Sequence, residues 1–556
     1  MEIPEAFKQP QRVLYIEDDP FYSDLVSKRL RRAGFVVQVV ETEQAALTAL
    51  QTEHFHVALV DLHLTHNMAQ KHGEALLSFI HSSPLHKNLV TMVLTAYPDE
   101  DNLLKAFQQY KVHRYFRKKD PDYVQQIIDA IPAALAEIGL SNFGLQYEAN
   151  SHHRLDEIAT TLRDAESMSV PAEHLAYQVQ DLFNKLFPHE DRLFIARLPE
   201  GLTKSQIVRA QPTKDNIVGQ NYVVKLARRD KIETESARYE KSVRGRLTGG
   251  AVTALSAAYT RDLGAICYSF AENDSGSPLV EFDIFYRDAR STRVIVHSLR
   301  HLLLRTCSVW YDNNAPRANA YLPDLYYDAF NLRRDYLIER IGEALPGFDP
   351  DAPTIRLDIA PDVLVTNPIK WLERNHDLCV MPVRRAITHG DLNGRNIMVD
   401  MENLMIRERQ GARTLEFHKC WLIDFFRTYE SHILRDIVIL ETDIKYRLLP
   451  RPPLPEFAAL EKALREPEWS VQAQPPEVRR AAQVVRALRQ MAFQLQGQRS
   501  RRQEYLLSLL MGTLNVVRLR HMERERKQHA LLSAAMLCAE LDELANRKGR
   551  WPILPE

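Results

Sequence analysis

The sequence lacks paired cysteines. Its five, Cys267, Cys307, Cys379, Cys420 and Cys538, are scattered over 556 residues, and none stands in a CxxC pair. That argues against a disulfide framework or a zinc ribbon and points to a reducing cytoplasm. It also lacks charge of one sign. The formal net charge is −1, so no bulk field favours nucleic acid or an anionic membrane. Long hydrophobic runs are missing too. The most apolar stretch, "YLLSLLMGTLNVVRLRHM", is interrupted by Arg518 and Arg520, which suits a buried helix and not a membrane span. The opening "MEIPEAFKQPQR" has no apolar core of a signal peptide. No internal repeat and no low-complexity tract is visible.

What remains is an ordinary globular composition, 45% apolar and 26% charged. The length is too great for one hydrophobic core, so about two to four domains are expected. Residues 12–16, 36–40, 56–61, 89–95 and 113–118 read as five strands, separated by segments of helical spacing. That alternation predicts βαβ units and a parallel sheet. Residues 141–190 read as a mostly polar helical connector, followed by a strand-rich section from about 191. Helices dominate from about 285, and after the break "LLPRPPLPEF" the tail reads as nearly all helix.

In an open parallel sheet, ligands bind at the carboxyl ends of the strands. Glu17, Asp18 and Asp19 follow the first strand, Asp61 ends the third, Thr95 the fourth and Lys118 the fifth. Clustered carboxylates call for a cation, and all-oxygen ligation suits Mg²⁺. The hydroxyl and the ammonium make sense if a phosphoryl group is to sit on one of the carboxylates.

Residues 10–140 thus resemble the receiver domain of two-component response regulators. "VLYIEDD" supplies the acidic pair Glu17 and Asp18, and Asp61 stands at the phosphoacceptor position. The resemblance gives Thr95 the switch hydroxyl, Lys118 the conserved-type lysine and Tyr115 the aromatic that changes rotamer. Lys119 competes with Lys118, and the loop after Asp61 is longer than usual before its glycine.

A second set of motifs lies beyond. "ITHGDLNGRNIMVD", residues 387–400, sets an Asp two residues after a His and an Asn five residues after that Asp. Phosphoryl transfer needs a phosphate-binding lysine, a glutamate to hold it, metal ligands and a carboxylate near the acceptor. "NYVVKLA" carries Lys225, and the next helix offers Glu235, with Glu233 and Glu240 as rivals. Asp391 and Asn396 lie in the loop, and "LIDF" delivers Asp424. The order Lys, Glu, Asp, Asn, Asp is that of the kinase signature set.

This stretch, about 191–450, resembles the aminoglycoside-phosphotransferase and choline-kinase branch of the kinase-like fold. Within it, the sequence looks like the ternary-complex-associated kinase-like domain. The resemblance implies Asp391 as the catalytic carboxylate, Asn396 and Asp424 as metal ligands, and Lys225 with Glu235 on the nucleotide. His389 would brace the loop and Asp436 would be a structural acid. The nucleotide loop "LPEGLTKSQ" has one glycine, Gly201, where several are usual, and its Lys204 could touch phosphate. The 28 residues from Asn396 to Asp424 are long for one hairpin, so "MENLMIRERQGARTLEF", residues 401–417, is expected to form an extended turn.

The fold expected is α/β plus α+β: a flavodoxin-like doubly wound domain (10–140), a connector (141–190), a bilobal kinase-like fold (lobes 191–275 and 276–450) and a helical extension (451–556). The function expected is a cytoplasmic response regulator, phosphorylated on Asp61, that controls an attached ATP- and Mg²⁺-dependent phosphotransferase. The alternative is a nucleotide-binding scaffold without turnover. Partners implied are an upstream histidine kinase or phosphotransfer protein, an unidentified acceptor and a phosphorylation-dependent homodimer. Neither membrane insertion nor nucleic-acid binding is expected. The arginines of residues 476–530 fit the solvated faces of packed helices, and no helix-turn-helix pattern stands out.

Overall fold

A computed structural model describes residues 11–546 apart from 63, 65–71, 84–85, 87–88, 97–104, 138–143, 148–154, 189, 199–204, 248, 271–278, 312–315, 408–414, 467–469, 471 and 498–501. The described residues belong to two compact units. One draws on 1–236 and 253–270, the other on 237–252 and 271–556. Among the described residues, no helix is long and apolar enough to cross a membrane.

The first unit opens with a parallel sheet. Its strands are β1 (Arg12–Ile16), β2 (Val36–Val40), β3 (Val57–Val60), β4 (Val90–Thr95) and β5 (Arg114–Arg117). Their order is β2-β1-β3-β4-β5, the flavodoxin-like arrangement. Both faces are covered, which is why the strands read as continuous apolar runs. Val13 and Tyr15 pack on the side of α1 (Pro20–Arg32) and α4 (Tyr123–Glu137). Leu14 and Ile16 pack on the side of α2 (Glu43–Thr52) and α3 (His72–Ser82). Asp19 caps α1 by accepting the Phe21 N–H at 2.8 Å, so this third acid serves the helix and not the cluster.

A seven-stranded sheet follows in the same unit. Its strands are β6 (Gly144–Tyr147), β7 (Arg192–Arg197), β8 (Gln206–Lys214), β9 (Ile217–Val218), β10 (Tyr222–Arg228), β11 (Ala254–Tyr259) and β12 (Leu263–Ser269). Asp215 and Asn216, both at positive φ (49° and 61°), make the two-residue turn between β8 and β9, as a type I′ hairpin requires. Residues 144–147 form a strand where the pattern predicts helix. The four-residue run is too short to show a period, and it is held by parallel pairing to β7.

The predicted connector is a packed layer. Helices α5 (Leu155–Glu166) and α6 (Ala172–Leu186) bury Ile158, Leu162, Val179 and Phe183 against Ile195, Val208, Val224 and Leu226 of the sheet. Helix α6 also meets the parallel-sheet domain. Arg12 lies over the Phe55 and Tyr177 rings at 5.3 and 5.4 Å. Asp181 pairs with Lys185 at 2.7 Å and lies 3.6 Å from His54. Helix α7 (Arg229–Ser242) follows β10.

The second unit has one longer hairpin and several short strand pairs. Strand β13 (Val280–Glu281) edges the hairpin of β19 (Ile397–Arg407) and β20 (Leu415–Leu422). Between them lie β14 (Ala318–Tyr321), which pairs with β17 (Val380–Val383), the hairpin of β15 (Thr354–Leu357) and β16 (Ala360–Thr366), and β18 (Arg385–Thr388), which pairs with β21 (Tyr429–His432). Of the stretch expected as an extended turn, 401–417, residues 401–407 and 415–417 belong to β19 and β20, and 408–414 lie outside the described residues. Alternating apolar residues on both arms satisfy a ladder.

Beyond α7, the helices of nine residues or more among the described residues are α8 (Thr292–Leu304), α9 (Leu322–Phe330), α10 (Arg334–Ala344), α11 (Arg435–Asp443), α12 (Leu454–Arg465), α13 (Pro476–Gln496), α14 (Arg502–Arg518) and α15 (Arg524–Asn546). The apolar run of the tail is α14, buried along nearly its whole length. Gly512 lets α11 approach it, because a Cβ there would lie 2.2 Å from Val438 Cγ1.

Several tail arginines are fasteners and not solvated side chains. Arg489 pairs with buried Glu441 at 2.7 Å, Arg486 donates to the Ala463 carbonyl at 2.7 Å, and Arg480 donates to those of Tyr286 and Arg287 at 2.5 and 2.6 Å. Buried Glu504 accepts from Arg317 at 2.8 Å and from His432 Nε2 at 3.1 Å.

The docking of α6 is sensitive to acid. Burial lowers His54 to about 3 and His56 to about 4, with Asp181 opposing. Burial also lowers His86 to about 4. Below the ordinary value of 6.5 the unfolded chain takes up these protons, whereas the folded chain does so only near 4 or 3. Stability is therefore lost as pH falls through that window. The thermal midpoint of the full chain should drop between pH 7 and pH 5, and His54→Gln should make the drop shallower.

Candidate functional site

The acids predicted at the strand ends meet. Glu17, Asp18 and Asp61 each offer a carboxylate oxygen within 4.8 Å of the others. Lys118 lies between two of them, donating to Glu17 at 2.6 Å and to Asp61 at 2.7 Å. Its ammonium also sits 4.3 Å from the centre of the Tyr22 ring. Lys118 is buried and Lys119 exposed, so the lysine of the cluster is Lys118. Burial raises the Glu17 carboxyl, and Lys118 opposes that shift. Burial alone would lower the Lys118 ammonium, but Asp61 and Glu17 raise it instead.

Thr95 is fully buried at the end of β4, and its carbonyl accepts the Lys118 N–H at 2.8 Å. Tyr115, on β5, packs against the α2–α3 side of the core. Gly73 is required where it stands, since a Cβ there would lie 2.4 Å from the Asp61 carbonyl. Tyr15 escaped the reading of the motif, although it lies two residues before Glu17 and so on the same face. Its hydroxyl donates to Glu17 at 2.8 Å.

Further along the first unit, Lys225 of β10 pairs with Glu235 of α7 at 2.8 Å, both buried. Tyr268 of β12 donates to the other Glu235 oxygen at 2.7 Å. The rivals are engaged elsewhere: Glu233 with Arg229 and Glu240 with Arg244, each at 2.6 Å. Gly201 and Lys204 lie outside the described residues.

In the second unit the loop between β18 and β19 is tightly held. The backbone N–H groups of His389 and Gly390 both donate to the Asp436 carboxylate at 2.8 Å. Tyr311 donates to the same group at 2.8 Å. The His389 ring contacts the Ile423 carbonyl through Nε2 at 2.9 Å, which places the proton on that nitrogen, because a carbonyl only accepts. Gly390 has φ +79°, and a Cβ there would lie 2.1 Å from the Arg427 carbonyl oxygen.

Asn396 donates to the Asp391 carbonyl at 2.8 Å. Its side-chain oxygen is the end that could take a cation. Asp424 stands two residues beyond β20 at φ +64°, a backbone state that costs free energy and gathers at functional sites. Burial raises the Asp391 carboxyl above the ordinary range. Arg427 opposes that shift and Asp424 adds to it.

Residues 13–129 match the response regulator receiver domain family. Together with the 2-1-3-4-5 sheet and the acid–lysine cluster, that match decides the first domain. It is a response regulator receiver domain. Solved structures similar to the receiver domain include a CheY-like receiver protein from Methanospirillum hungatei JF-1. That protein is 22% identical, covers 23% of this chain and 99% of its own, and has a TM-score of 0.21. A putative response regulator from Chloroflexus aurantiacus J-10-fl is 23% identical, covers 23% and 99%, and has a TM-score of 0.21. A response regulator from Thermotoga maritima is 19% identical, covers 23% and 99%, and has a TM-score of 0.20. Residues 356–515 match the family described as ternary complex associated domain 9. No curated protein matches the chain. A receiver domain implies a phosphodonor partner such as a histidine kinase.

The Asp436 clasp is open to test. Asp436→Ala leaves two buried N–H groups and the Tyr311 hydroxyl without an acceptor, each costing about 1–3 kcal/mol. Hydrogen exchange at the His389 and Gly390 amides should accelerate, while exchange in the receiver domain should stay unchanged.

Proposed function

We propose that the chain is a response regulator whose receiver domain, phosphorylated on Asp61, controls a kinase-like phosphotransferase built from residues 191–450. The observation that carries the phosphotransferase reading is the Lys225–Glu235 pair. A buried ion pair rarely repays its desolvation. A lysine clasped by a glutamate on the next helix is what a phosphate-binding lysine needs. Asp391, at the tip of the clasped loop, is the proposed base. It takes the proton of an acceptor hydroxyl as that oxygen bonds to the γ-phosphorus of ATP and the bond to the bridging oxygen breaks, releasing ADP. Asn396 and Asp424 are an all-oxygen pair suited to Mg²⁺, as are Glu17, Asp18 and Asp61. At either place the ion would neutralise phosphate oxygens.

For control, the receiver domain, α6 and the strand that bears Lys225 belong to one compact unit. A change at the Asp61 face can therefore reach β10 through packed elements. Thr95, Lys118 and Tyr115 are the proposed switch residues. The alternative, a nucleotide-holding scaffold without turnover, rests on the single glycine of "LPEGLTKSQ".

Three experiments decide these claims. Acetyl phosphate with Mg²⁺ should add one phosphoryl group to the full chain, read by intact mass, and none to Asp61→Asn. Mg²⁺·ATP should bind by calorimetry. Transfer or hydrolysis of γ-labelled ATP should fall about a hundredfold or more in Asp391→Asn. Equal turnover in that variant sinks the catalytic assignment, and binding without turnover in the wild type selects the scaffold.

A further inference from the structure

Arg238, Arg427, Arg435 and Arg518 come from widely separated parts of the sequence. Among the described residues, none of the four forms an ion pair. Arg427 donates to the Ala329 carbonyl at 3.1 Å. Arg518 donates only to the side-chain oxygen of Asn515 at 2.9 Å. Arg435, fully buried, donates to the Gly390 carbonyl at 2.8 Å and lies 4.8 Å from the Tyr429 ring. Its Nε and Nη1 have no hydrogen-bond partner. Arg238 lies 4.9 Å from the same ring and donates to the Phe426 carbonyl. Elsewhere in the tail, arginines find carboxylates: Arg489 has Glu441 and Arg524 has Asp358.

Arg435 is tied to the Asp391 loop through the Gly390 carbonyl, and the charges of Arg427 and Arg435 both act on the Asp391 carboxyl. Gly390 is in contact range of both Arg427 and Arg435, whose backbone and guanidinium carbon lie 2.1 and 3.0 Å from where its Cβ would stand. Helix α14 packs on α10 and on α9, whose Ala329 carbonyl holds Arg427, and it ends at Arg518. There burial and the Arg427 charge weaken its hold on its proton, while Tyr336 and Asp391 support it. The charges of Arg427, Arg435 and Arg518 act on the Asp391 carboxylate, which Asp424 neighbours, and an arginine does not shed its charge on burial. An amine-bearing acceptor would meet like charge. An oxyanion would supply the missing partner, with bidentate geometry available. Arg435 and Arg238 are covered by aromatic rings and contribute field. Arg427 and Arg518 are half-buried and have N–H groups to offer.

We infer that the acceptor served by Asp391 carries an oxyanion, a phosphate or a carboxylate, beside its hydroxyl, and that Arg427 and Arg518 hold that group. The inference rests on the phosphotransferase reading and names its substrate class.

The test titrates the full chain with inorganic phosphate, and separately with malonate, at constant ionic strength. Both titrations include saturating Mg²⁺ and a non-hydrolysable ATP analogue. Saturable binding is expected. Arg427→Gln and Arg518→Gln should each weaken it at least tenfold, Arg518→Lys less so, and Arg479→Gln not at all. Whichever anion binds more tightly identifies the oxyanion. Absence of saturable binding, or glutamine variants that bind as the wild type does, overturns the inference. So does anion binding that occurs only when the nucleotide analogue is left out, since the anion would then occupy the nucleotide side. The thermal midpoint of each variant guards against misfolding. If the ATP analogue itself fails to bind while phosphate binding still depends on both arginines, the anion site stands and the phosphotransferase reading falls.

Discussion

Asp436 grips two consecutive backbone N–H groups, and the geometry of the second site follows from that grip. A fully buried carboxylate needs donors, and His389, Gly390 and Tyr311 provide them. Once the loop is tied there, Gly390 must take a left-handed turn. The His389 ring reaches the Ile423 carbonyl, and Asp391 projects beyond the clasp. Asn396 then ties back to the Asp391 carbonyl. Residues from Tyr311 to Asp436, spread over 125 positions, are gathered by one buried acid.

The receiver domain was legible because its physics is local. The three central strands, β1, β3 and β4, are buried throughout and leave continuous apolar runs, and chemistry at strand ends leaves acids, a hydroxyl and a lysine at predictable positions. Lys118 is preferred to Lys119 on sequence because it directly follows the strand's alternation, and its burial beside the acids, with Lys119 exposed, agrees. Glu235 was likewise selected over Glu233 and Glu240 by a helix face that tolerates several registers on paper. Strand β6 was illegible, being four residues long and held by a partner 48 positions away. The arginine cluster was illegible for a deeper reason. Its members lie at 238, 427, 435 and 518, and nothing local distinguishes them from arginines on an exposed helix.

The layer formed by α5 and α6 changes what a connector means in this chain. A flexible tether transmits little more than proximity. Here the helices contribute Val179 and Phe183 to the core under the second sheet, while Asp181 and Tyr177 meet the receiver domain. The same helix is thus core for one element and contact surface for another. Displacement at one side has to be accommodated by packing on the other, because interiors at this density do not deform smoothly.

Gly512 gives the C-terminal extension an evolutionary constraint of its own. The close approach of α14 to Val438 fixes the depth at which α11 lies, and α11 carries both Asp436 and Arg435. A heavier side chain at position 512 would push on the helix that anchors the loop, although the two are far apart in sequence. Drift in the last hundred residues is therefore filtered by the chemistry of a loop near residue 390. The extension and the loop should be inherited as a matched pair, and recombination between relatives at the proline-rich break would separate them.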